Sequence, residues 1–115
     1  MKFVLLASLF ICSLPGASFA QVFNLRCKAI YNSEVILDRD VALQYKQRNL
    51  NIGGKEPFQF ILSSAPDGKV EFQAYNSWDP SRSYASALMS GRGAFVELSI
   101  WKREYLLEAR CVLLN

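Results

Sequence analysis

The 115-residue chain contains no histidine. That absence removes Ser-His-Asp triads, Cys-His dyads, His-ligated zinc and the side chain that most readily changes charge near neutral pH. Cysteine is scarce, at 3 residues. Charge of either sign is modest, with 13 Lys and Arg against 10 Asp and Glu and a formal net charge of +3. A nucleic-acid binder ordinarily displays clustered cations. Here Arg26, Lys28, Arg39, Lys46, Arg48, Lys55, Arg82, Arg92, Lys102 and Arg103 are spread along the chain among acids and read as solvated faces. No segment sustains the helical repeat of about 3.6 residues, and no apolar run reaches the ~20 residues of a membrane-spanning helix. What remains is a folding composition. Hydrophobic residues make up 51% and charged residues 20%, in a length that suits one domain.

The first twenty residues have the form of an export signal. Lys2 supplies a positive start, and Phe3-Val4-Leu5-Leu6-Ala7-Ser8-Leu9-Phe10-Ile11 supplies the apolar stretch. Pro15 and Gly16 break it, and Ser18 and Ala20 then place small residues at the cleavage spacing. Ile11 precedes Cys12 where a lipobox needs a small residue, so lipidation is not expected. The expectation is a signal peptide over residues 1–20 and a single domain over 21–115, periplasmic or secreted. Removing the signal takes only Lys2 from the charge count, so +3 becomes +2.

Cys12 leaves with that segment. Cys27 and Cys111 remain, and an even pair in an exported chain reads as one disulfide. A bond that closes a loop of this length is worth about 4–5 kcal/mol in the chain-entropy model. A domain this small has a marginal core, so such a staple matters.

Alternation with a period of two dominates the rest. Phe23, Leu25, Cys27, Ala29 and Tyr31 share one face against Asn24, Arg26 and Lys28. Val35, Leu37, Val41, Leu43 and Tyr45 alternate with Asp38, Asp40, Gln44 and Lys46. Leu50 and Ile52 form a short piece that stops at Gly53-Gly54, and Phe58, Phe60 and Leu62 follow. Val70, Phe72 and Ala74, then Val96, Leu98 and Ile100, continue the pattern. Tyr105, Leu107, Ala109, Cys111 and Leu113 close it, so both cysteines lie on the apolar faces of their strands. Ser81–Met89 reads as either a strand or a short helix. Turn chemistry separates the segments at Asn32-Ser33, Asn49, Pro66-Asp67-Gly68, Asp79-Pro80 and Gly91-Arg92-Gly93. The expected fold is all-β, with about eight short antiparallel strands and a Cys27–Cys111 bond joining the first and last. A small barrel is favoured because closure removes exposed sheet edges, with a two-sheet sandwich as the other solution.

Catalytic patterns are missing. Asp38 and Asp40 share a strand face, but nothing in the sequence supplies a cleft between opposed carboxylates. No acidic loop offers the oxygens that calcium needs, and zinc lacks histidine. Gly91-Arg92-Gly93 is too short to cradle a phosphate. The expectation is therefore no enzyme, no metal and no cofactor. Asn76–Tyr84 stands apart as the longest polar connection. Trp78, Asp79, Arg82 and Tyr84 in it are candidates for a binding site, since Trp, Tyr and Arg are enriched where protein partners bind. The competing reading is that Trp78 folds back to plug one end of the core. Trp101 is expected to be partly buried on a sheet face. The implied partner is a protein of the envelope or extracellular space, with no nucleic acid and no membrane span.

In size, export signal and a disulfide between end strands, the chain resembles the small periplasmic β-barrel inhibitors of C-type lysozyme. Leu25-Arg26-Cys27 early and Ala109-Arg110-Cys111 late carry that layout. The inhibitors' Ser-Gly-x-x-Tyr recognition loop is not reproduced, because no Tyr follows Ser90-Gly91-Arg92-Gly93. Pro80-Ser81-Arg82-Ser83-Tyr84-Ala85 and Leu106-Leu107-Glu108-Ala109-Arg110-Cys111 also resemble small exported bacterial proteins to which no function is assigned. The expected function is a non-catalytic binding module that recognises a protein through the Trp78–Tyr84 loop, with inhibition of a lytic enzyme as its sharpest form. A structural or accessory envelope protein is the alternative.

Overall fold

The computed structural model describes residues 22–115; the expected signal peptide and the cleavage point before Gln21 lie outside them. Eight strands follow in order: β1 (Val22–Tyr31), β2 (Glu34–Gln44), β3 (Leu50–Lys55), β4 (Phe58–Ser64), β5 (Lys69–Asn76), β6 (Ser81–Leu88), β7 (Phe95–Trp101) and β8 (Leu106–Leu113). No helix occurs among the described residues, and Ser81–Leu88 is a strand. The strands form two four-stranded antiparallel sheets, ordered β2-β1-β8-β7 and β3-β4-β5-β6.

The strand order is that of an up-and-down barrel, with β8 returning beside β1, but the sheets do not close. No ladder joins β2 to β3 or β6 to β7, so the favoured barrel gives way to the sandwich. A round eight-stranded barrel must be filled by inward side chains. The inward positions of β6, paired with β5 core residues, are only Ser81, Ser83, Ala85 and Ala87. At the other seam Arg39, paired with Cys27, occupies an inward position of β2. Its guanidinium turns to the neighbouring edge and donates to the Ile52 carbonyl at 3.0 Å. The thick middle is instead aromatic: Phe58, Phe60 and Phe72 from the second sheet meet Leu25, Leu43 and Leu107 from the first, all fully buried. An inward charge on an edge strand also discourages pairing with another chain.

Period-two alternation places most of the core, with two local exceptions. The register of β1 with β2 shifts between Ala29 and Ile30, which makes a bulge. Ile36 is buried there and Val35 is left exposed, the reverse of the strict pattern. The second exception is β3, which runs on through Gly53 and Gly54 with its own register shift after Asn51. Gly54 has a positive φ of 139°, and a Cβ there would collide with the Phe58 carbonyl. Glycine is what lets this hairpin close.

Cys27 pairs directly with Cys111 across β1 and β8, and the two form a fully buried disulfide separated by 84 residues. Tyr31, Phe58 and Tyr105 seal the end of the core below the β5–β6 turn, their rings in edge-to-face contact with centroids 5.4–5.7 Å apart.

Candidate functional site

The candidate residues divide between a turn and a sheet face. Asn76 is buried, and its Oδ1 accepts hydrogen bonds from the backbone N–H groups of Trp78 at 2.9 Å and Asp79 at 3.4 Å. This is the Asx geometry that Asn favours. The Ser77 backbone N–H donates to the Pro57 carbonyl at 2.9 Å, which ties the turn to the β3–β4 hairpin. The backbone so held points Trp78 outward, and the residue is 67% exposed. Trp78 is thus not the plug of the core; Tyr31, Phe58 and Tyr105 fill that place.

Asp79 is engaged within the fold. Its carboxylate accepts a hydrogen bond from the Ser81 hydroxyl at 2.7 Å and lies 3.6 Å from the Lys102 ammonium. The Ser81 hydroxyl first, and Lys102 after it, hold the carboxyl below its ordinary range. Asp79 therefore fixes the turn against the β7–β8 connection.

Arg82 and Tyr84 point from the outer face of β6. The register sets Arg82 beside Tyr75 and Gln59 in one row, and Tyr84 beside Gln73 and Ile61 in the next. The Arg82 guanidinium lies 5.2 Å from the centre of the Tyr75 ring and donates to Gln73 Oε1 at 2.6 Å. Gln73 is buried, although it belongs to the outer face. Tyr84 beside it is 59% exposed. Tyr75, Gln73 and Gln59 are parts of this surface that the sequence reading missed; their outward positions on alternating strands were the available signal. Trp101 was missed too. It is not partly buried as expected but 86% exposed, because it ends β7 on the outward side. Its neighbour Lys102 joins Asp79, so both tryptophans lie at the same end of the sandwich.

The outer face of the first sheet differs in kind. Arg26 bridges Asp38 at 2.6 Å and Asp40 at 3.0 Å, and Arg110 pairs with Glu97 at 3.2 Å. The Asp40 hydrogen bond and the Asp38 charge raise the Arg26 pKa further. The two aspartates are thus the ends of an exposed ion ladder. A shallow depression of about 380 Å³ crosses this face beside Lys28, Glu108 and Val112. Among the described residues no three metal-ligating side chains gather, and no helix is long and apolar enough to cross a membrane.

No protein-family model, curated protein or solved structure matches the chain.

Proposed function

We propose that this protein is a non-catalytic, exported binding module that recognises a protein through Trp78, Arg82 and Tyr84. The observation that carries the reading is the exposure of Trp78 and Tyr84 on a backbone fixed by hydrogen bonds. A partner then meets aromatic area that is already ordered, which lowers the entropy cost of association. Tyr75 and Gln73 hold Arg82 in place for the same purpose. Trp101 extends the apolar area around the Asp79–Lys102 pair. Asp79, the carboxylate of this turn, is committed to Ser81 and Lys102, which suits binding rather than acid–base chemistry. Inhibition of a lytic enzyme is the sharpest form of this function.

The test is capture from envelope extract by the oxidised protein beside the Trp78→Ala/Arg82→Ala variant. A protein retained by the first and lost by the second, at unchanged thermal stability, supports the reading. A central anchor of this kind is worth more than about 2 kcal/mol. Equal capture by both moves the role to the ion-laddered outer face of the first sheet, as in a structural or accessory envelope protein.

A further inference from the structure

We propose that the end of the sandwich opposite Trp78 docks on an anionic lipid bilayer. This end is built by the β2–β3 loop (45–49), the β4–β5 turn (65–68) and the β6–β7 loop (89–94). Hydrogen bonds join them into one rim: Tyr45 Oη donates to the Pro66 carbonyl at 2.7 Å, Ser64 N–H to the Gln47 carbonyl at 2.7 Å, and Met89 N–H to the Gly68 carbonyl at 3.4 Å.

The rim gathers cations that are scattered in the sequence. Lys46, Arg48, Lys69 and Arg92 are all exposed, and none has a carboxylate partner among the described residues. The loops supply one acid, Asp67, whose Oδ1 is turned to the backbone N–H of Lys69 at 3.0 Å. The opposite end is different. Glu34, Glu56, Asp79 and Glu104 there face Lys55, Lys102 and Arg103, and two of those cations are neutralised in ion pairs. The charge therefore falls along the long direction of the strands.

Apolar side chains separate a bilayer from other anionic occupants. Val22, Tyr45, Leu88, Phe95 and Leu114 are exposed around the cationic rim, Leu88 at 54%. Val22, Leu88 and Leu114 set aliphatic tips between Lys and Arg, which suits the boundary of headgroups and acyl chains, while the Tyr45 and Phe95 rings are covered by Lys46 and Arg110. A phosphate-tracking nucleic-acid site calls instead for stacking platforms along a groove. The chain also enters the fold here. Val22 pairs with Gln44 beside the rim. Docked in this way, the protein holds Trp78 and Trp101 away from the bilayer.

The test uses the exported chain, its N-terminus mapped by mass spectrometry, with vesicles of phosphatidylcholine alone or mixed with phosphatidylglycerol. Binding is expected only to the mixed vesicles and is expected to weaken with salt. A cation near an anionic surface strengthens partitioning about fivefold, so Lys46→Ala/Arg48→Ala should lower it about 25-fold. Lys102→Ala/Arg103→Ala should leave it within about twofold, because those residues lie more than a Debye length of ~10 Å from the docked rim. Brominated lipid reports orientation. The two tryptophans of the chain should keep their emission on binding, whereas a Leu88→Trp variant with both native tryptophans changed to Phe should be quenched. Circular dichroism checks that each variant is folded. Absence of binding at low salt overturns the proposal. So does quenching of Trp78 and Trp101, or retention on heparin or DNA without retention on vesicles.

Discussion

Replacing Cys27 and Cys111 together by alanine is expected to lower stability by about 4.5 kcal/mol. The bond spans 84 residues, and that separation sets the entropy the unfolded chain recovers when it is cut. The native state keeps its geometry, because β1 and β8 remain paired from Leu25 with Leu113 to Tyr31 with Leu107. The strands around the missing sulfurs are already neighbours. For a domain of this size such a loss lowers the melting temperature by about 20 °C or more. With a urea dependence of ~1–3 kcal/mol per molar, the midpoint falls by about 1.5 M or more. The assay is equilibrium urea unfolding followed by far-ultraviolet circular dichroism, with oxidised protein and variant side by side. Emission of Trp78 and Trp101 is a poor probe, since both are exposed in the folded state. A loss below about 1.5 kcal/mol at an unchanged urea dependence would refute the view that the bond acts by restraining the unfolded chain.

Three further outcomes are expected. Ser64 Oγ is fully buried with no hydrogen-bond partner among the described residues, so Ser64→Ala should stabilise the fold by about 1 kcal/mol in the same urea experiment. Gly54→Ala should cost well over about 1 kcal/mol, because it meets both the positive φ and the Phe58 carbonyl; a change within error would remove glycine's role in that hairpin. Asp79 contributes above its unfolded pKa, since its folded carboxyl is held below the ordinary carboxylate range, and the contribution fades as pH falls through that range. Melting curves of Asp79→Asn and the parent should therefore differ at neutral pH and converge in acid; a gap that widens in acid contradicts the assignment.

The alternation of apolar and polar residues made the strands legible, because a half-buried strand must send successive side chains to opposite sides. It located Leu25, Cys27, Phe60, Phe72 and Leu107 in the core without any knowledge of pairing. It misplaced Val35 and Ile36 because a bulge is a property of two strands, and only the partner reveals the extra residue. Antiparallel pairing was also legible, since short connections favour adjacent strands, although the strand order stayed open. Closure was not. It turned on how much side-chain volume reaches the two seams, where Arg39 and the small residues of β6 stand. Trp78 and Arg82 were visible as unusual residues in a polar stretch, but the ring beneath Arg82 and the amide that receives it are a strand away. The cationic rim left no sequence signal at all, because Lys46, Lys69 and Arg92 come from three separate stretches of the chain.

The return of β8 to β1 also has a consequence for the time course of synthesis. β1 lies inside its sheet, between β2 and β8, yet β8 is made last. The second sheet is a meander that can zip hairpin by hairpin as it emerges, whereas the first cannot be completed until the chain is nearly finished. Its inner pair carries the longest sequence separation in the molecule and so sets the slowest search. Cys27 waits as a free thiol through that interval. Formation of the Cys27–Cys111 disulfide, with the pair's two electrons passing to an external oxidant, would thus mark the moment at which the last strand finds its place, and a chain cut short before β8 would keep an open edge on β1.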